Sequence, residues 1–74
     1  MLTMVVIYEG VKDFPDMRFI ARTWRIAMDG STSGEIIATS NDLQDCRQAA
    51  LAQGCDVRFI RSPEDDPTIL ETWI

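Results

Sequence analysis

Histidine is absent from this chain, lysine occurs once and cysteine twice, and no apolar run approaches the ~20 residues that a membrane-spanning helix needs. Each absence removes a class of function. Without histidine, and with no carboxylates paired at a recognisable spacing, general acid/base and nucleophilic schemes lack their usual participants. The expectation is a protein that is not an enzyme and holds no cofactor or metal. Two cysteines, Cys46 and Cys55, are fewer than a disulfide-stapled secreted domain of this size carries, which points to a reducing compartment and to small apolar filler as their role. The segment Met1 to Tyr8 has neither the basic start nor the long apolar stretch of a secretory signal, so a cytoplasmic protein is expected, with no membrane partner.

Positive charge is also scarce. Twelve acids stand against six arginines and one lysine, for a net charge of −5. Phosphate-backbone affinity comes from cations that displace counterions, so this balance disfavours a nucleic-acid partner and suits a protein partner with a basic surface.

What is present is enough for one small domain, spanning residues 1–74. An apolar content of 46% is ordinary for a globular chain and argues against disorder. One stretch, Ser40 to Gly54, reads as a helix with both ends marked. Asn41 is the expected cap, with Gln44 reaching back to it; Asp42 and Asp45 suit the positive end of the helix dipole, and Gly54 suits a left-handed stop. At helical spacing Leu43, Cys46 and Ala50 form one stripe, flanked by Ala49 and Leu51. Such small side chains cannot make a core alone, so the helix must lie close on a sheet that supplies the bulk.

The rest reads as strand and turn. Met1 to Tyr8 has two apolar faces, one with Leu2, Met4, Val6 and Tyr8 and the other with Val5 and Ile7, which suits the middle of a sheet. A loop follows, in which Phe14 is expected to fold back on the core. Met17 to Met28 is the longest strand candidate, with Ile20, Trp24, Ile26, Met28 and Arg22 on the expected core face and Phe19, Ala21, Thr23 and Arg25 on the other. Asp29 to Gly34 reads as a turn opened by Asp-Gly. Its glycines lead into a strand, not a helix with Lys and Ser/Thr, so a phosphate loop is excluded. Glu35 to Thr39 returns as a strand paired with the preceding one. After the helix, Asp56 to Arg61, with Val57 and Phe59 inward and Arg58 outward, and Thr68 to Ile74 form a second antiparallel pair. Between them Glu64, Asp65 and Asp66 sit among prolines in an acidic loop that lacks the spaced ligands of a calcium site. The expected fold is α+β: a single, mostly antiparallel sheet of four to five strands in the order βββαββ, with one helix on one face.

That arrangement leaves one face uncovered, expected to carry Phe19, Arg25, Ile60, Leu70 and Ile74, and fit for a homodimer or a target protein. The leading functional expectation is a small, acidic, non-enzymatic interaction protein, whose acids Glu64, Asp65, Asp66, Asp13, Asp16 and Asp29 engage a nucleic-acid-handling protein. In size and charge it is similar to phage or mobile-element proteins that inhibit host defence or regulators, an analogy of class and not of motif. The alternative is a single-stranded nucleic-acid reader using Arg18, Arg22, Arg25, Arg58 and Arg61 with Trp24 or Phe59 for stacking. A homodimeric structural protein is the third. A strand that carries large apolar residues to position 74 must pair with the sheet. Deleting Leu70 to Ile74 is therefore expected to abolish folding, read by circular dichroism; a truncated chain that keeps a cooperative unfolding transition contradicts the assignment.

Overall fold

The computed structural model describes residues 2–12, 15–60 and 68–74. Its elements are β1 (Leu2–Glu9), β2 (Phe19–Ile26), β3 (Thr32–Ser40), α1 (Leu43–Ala52), β4 (Arg58–Ile60) and β5 (Ile69–Trp73). The strands form one five-stranded sheet in the order β3-β2-β1-β5-β4, every neighbouring pair antiparallel. This is the expected α+β fold, and β1, apolar on both faces, runs through its centre with Val5, Val6 and Ile7 buried. Phe14 lies outside the described residues.

The hairpin between β2 and β3 is tighter than its composition suggests. The Gly30 N–H donates to the Ala27 carbonyl at 3.0 Å, and Gly30 takes a left-handed φ of 87°. Asp29 accepts from the Ser31 amide and hydroxyl at 2.9 and 2.7 Å, and these bonds hold its carboxyl below the usual aspartate range. Strand pairing resumes at Thr32, so Gly34, expected in the turn, is part of β3.

The helix cap also shifts by one residue. Asp42, in extended conformation, accepts the Gln44 N–H at 3.0 Å, and Ser40 Oγ accepts the Asp42 N–H at 3.0 Å. Asn41, expected to cap, instead accepts the Arg18 N–H at 2.9 Å and so ties the helix entry to the start of β2. At the other end Gly54, with φ 85°, donates to Leu51 and Cys55 donates to Ala50, the paired bonds of a Schellman stop.

The helix packs against β3, β2 and β1, but on the face of β2 opposite to the one expected. Beneath Cys46 and Ala50 the core contains Ala21, Val5, Ile7, Phe19, Cys55 and Trp73, with Ala38, Ile37, Leu43 and Leu70 against it. The reason is steric. A stripe of small side chains approaches closely only where the sheet is also small, as at Ala21 and Ala38; on the other side Ile20 and Trp24 would hold it off. Phe19 and Leu70 are thus core residues and not part of the uncovered face, and Met28 is almost fully exposed beyond β2. On β4 the orientation is likewise reversed: Val57 and Phe59 are about half exposed, while Arg58 lies opposite Trp73 on the helix side.

Among the described residues one charged group is buried in this core. Glu71, 3% exposed on β5, receives a two-pronged hydrogen bond from Arg47 of α1 at 2.9 and 3.2 Å and a third from the Trp73 indole at 3.0 Å. Arg58 Nη1 stands 3.7 Å from the same carboxylate. Burial pushes this carboxyl up, but the Arg47 and Trp73 hydrogen bonds and the two guanidinium charges together outweigh it and hold it below the usual glutamate range. Because the folded value is depressed, the stabilisation is complete above the unfolded value of about 4.3 and disappears as pH falls through the folded one. Wild-type urea midpoints are expected to drop as pH falls below about 4, and Glu71→Gln to lose about 3 kcal/mol at pH 7 together with part of that acid dependence. Identical pH profiles for the two proteins would remove Glu71 from this role.

Candidate functional site

The face that α1 leaves open is set by strand register. Residues directly opposite in antiparallel strands share a face, so Met4 with Trp24, Val6 with Arg22 and Tyr8 with Ile20 lie on one side of the sheet. Ile36 joins them through Arg22, and Phe59 through Thr72 and Val6. This face is bulky, aromatic and nearly uncharged, and no described helix or strand packs on it. Phe59 is 50% exposed and Ile36 41%. Val6 and Ile20, in contrast, are buried among their larger neighbours.

Arg22 is the strand cation of this face. Its guanidinium lies over the Trp24 ring at 4.5 Å from the centroid. Gly34, directly opposite Trp24, makes room for the stack: a Cβ at that position would stand 2.8 Å from the indole and 2.9 Å from Arg22 Nε. Arg22 Nε is buried with no hydrogen-bond partner. Beside it a depression of about 390 Å³ is lined by Tyr8, Val11, Lys12, Ile20, Arg22, Ile36 and Thr68 with Gly10 at its edge.

The other arginines expected in a basic face are not brought to this one. Arg25 lies on the helix side, 3.8 Å from Glu35, and Arg58 beside Glu71. Arg18, just before β2, donates to Glu9 at 3.0 Å, and Arg61 lies outside the described residues. Arg22, Trp24 and Phe59 share the open face. Of the acids expected to meet a partner, Asp16 precedes β2 and Asp29 follows it, so a strand of eight residues, roughly 26 Å, separates them. Asp13, Glu64, Asp65 and Asp66 lie outside the described residues.

The two cysteines are buried in the core as free thiols. Burial first, then the nearby carboxylates of Asp45 and Glu71 for Cys46 and of Asp56 for Cys55, push both thiols up, the opposite of what a nucleophile needs. Among the described residues no cluster of three or more His, Cys, Asp or Glu side chains is placed to hold a metal, and no helix is long and apolar enough to cross a membrane.

Sequence reasoning missed the Trp24–Gly34 pair. A signal existed: an aromatic in one strand of a hairpin and a glycine at the matching distance across its turn, which becomes visible only when the turn is placed at residues 27–31. No family model, curated protein or solved structure matches the chain. Alanine is ordinarily no worse than glycine inside a strand, so Gly34→Ala tests the stack by its sign. It is expected to cost about 1–2 kcal/mol in urea denaturation and to change Trp24 emission; unchanged or greater stability would show that the indole does not depend on Gly34.

Proposed function

We propose that this protein is a small, non-enzymatic interaction module that acts as an inhibitor or regulator of another protein and engages it through the open face of its sheet. The observation that carries this reading is the character of that face: Trp24, Tyr8, Phe59, Met4 and Ile36 gathered around one arginine, on a side that no described element covers. Aromatic residues, methionine and arginine, with few other charges, are the composition of interface centres. An apolar face of this kind selects a partner by shape and burial, and in a chain with net charge −5 the remaining surface supplies repulsion against other acidic proteins.

The size and charge of the chain support the inhibitor reading, and a target among nucleic-acid-handling proteins rests on the same two properties. A basic partner surface would meet the acids outside this face, while the face itself favours an apolar patch. The single-stranded nucleic-acid alternative keeps Arg22, Trp24 and Phe59 as a stacking surface but has Arg25 and Arg58 turned to the other side.

Exposed positions make the test clean, because substituting them leaves the core intact. Capture from a lysate of the native host is compared for wild type, for the open-face variants Ile36→Asp and Phe59→Asp, and for the helix-side variant Leu51→Asp, each verified as folded by circular dichroism. The open-face variants are expected to lose the captured species and Leu51→Asp to retain it. Loss in Leu51→Asp with retention in the other two would move the binding surface to the helix. A dimer by light scattering that dissociates in the open-face variants would assign the face to a second copy of the chain.

A further inference from the structure

Charge pairing in this protein singles out one place. Among the described residues Arg18, Arg25, Arg47 and Arg58 each have a carboxylate within 4 Å, at 3.0, 3.8, 2.9 and 3.7 Å. Arg22 has none among these residues. Lys12, the single lysine, has none either, and both line the same depression on the open face. No acidic side chain among the described residues lines it.

We infer that this depression is a binding site for a carboxylate carried on an apolar or aromatic body. Four observations converge on that chemistry. Two cations with no acidic partner among the described residues face one cavity, so an entering anion meets no competing ion pair from those residues. The Arg22 guanidinium is held flat by Trp24 and Gly34, so little side-chain freedom is lost when it receives a ligand. The remaining wall is Ile20, Ile36, Val11 and the Tyr8 ring, which suits a hydrocarbon or aromatic group. At about 390 Å³ the cavity is at the small end of ligand sites and fits one ring or one large side chain.

A phosphate group is the less suitable anion. Its oxygens need several donors, as a helix N-terminus or a backbone nest provides, and α1 lies on the opposite face while the Gly10 N–H is already bonded to the Arg18 carbonyl at 3.2 Å. A carboxylate matches one planar guanidinium and one ammonium. The chemistry has two sources, a free carboxylic acid or the C-terminus of a peptide ending in an apolar residue. The site stands on Arg22, Lys12 and the cavity and is independent of the partner proposed above.

Amide chemical shifts of the ¹⁵N-labelled protein test it with defined probes: 4-phenylbutyrate, its neutral amide, a short peptide ending in phenylalanine as free acid and as C-terminal amide, and inorganic phosphate. At least one free acid is expected to shift the amides of Gly10, Ile20 and Ile36 saturably and to bind about tenfold more tightly than its amide. Binding by the peptide acid alone assigns the site to chain termini, and binding by phenylbutyrate alone assigns it to a small molecule. Lys12→Gln, an exposed change that leaves the fold intact, is expected to weaken that binding several-fold, and Arg22→Gln about tenfold. Equal binding of acid and amide, tighter binding of phosphate, no saturable shift up to 10 mM, or affinity unchanged in Lys12→Gln would each overturn the proposal.

Discussion

The Glu71 carboxylate is the group on which the architecture depends. It sits 3% exposed on β5, with β1 on one side and β4 on the other, and a carboxylate in that position is tolerable only if its charge is met. Arg47 meets it from the helix with two parallel bonds, whose planar geometry admits a narrow range of helix positions. Trp73 meets it from the same strand and Arg58 from β4. One buried anion therefore joins the helix, the central sheet and a three-residue edge strand whose own side chains are largely exposed. Removing Arg47 takes away the two-pronged bond and leaves the buried carboxylate with the Trp73 indole and the more distant Arg58, so the network specifies placement as well as contributing stability.

The helix position in turn decides which side of the sheet remains free. Cys46 and Ala50 settle over Ala21 and Ala38 because small surfaces permit close approach. Met4, Val6 and Tyr8 of β1 and Ile20 and Trp24 of β2 are then left on the far side, where Trp24 and Arg22 order themselves above Gly34. The aromatic character of the open face is thus a consequence of helix packing and not a separate feature. Its cationic corner, formed by Arg22 and Lys12, has no acidic partner among the described residues because of the same division: the acids that neutralise the other described arginines lie on the helix side or at the sheet margin.

Much of the fold was legible along the chain. Turn chemistry at Asp29-Gly30 and the stop at Gly54 are local, and so are the alternations that define strands; the order βββαββ follows from them. The centrality of β1 was legible from its two apolar faces. The side of β2 that meets the helix was not, since Ile20, Trp24 and Ile26 outweigh Phe19, Ala21 and Thr23 in hydrophobic bulk, and bulk is the usual guide to the core. Here the guide failed because the small helix stripe settles over Ala21 and Ala38, in one core with Phe19, and leaves Ile20 and Trp24 on the other face. The exchange of Asn41 for Asp42 as cap has a similar origin: both residues can cap, and the choice was made by the Arg18 amide, 23 positions away in sequence.

The candidate site divides along the same line. By itself the sequence determined the charge balance, the scarcity of catalytic residues, the element order and the presence of arginines and aromatics on neighbouring strands. Only the tertiary structure decided that Arg25 and Arg58 join acids on the covered side while Arg22 remains unpaired among the described residues, and that Glu71 is the buried partner of Arg47. The physical reason is range. Periodicity and capping act within a few residues and are written in order along the chain, whereas ion pairing, burial and cavity formation depend on which distant strands become neighbours and which face a helix is small enough to cover.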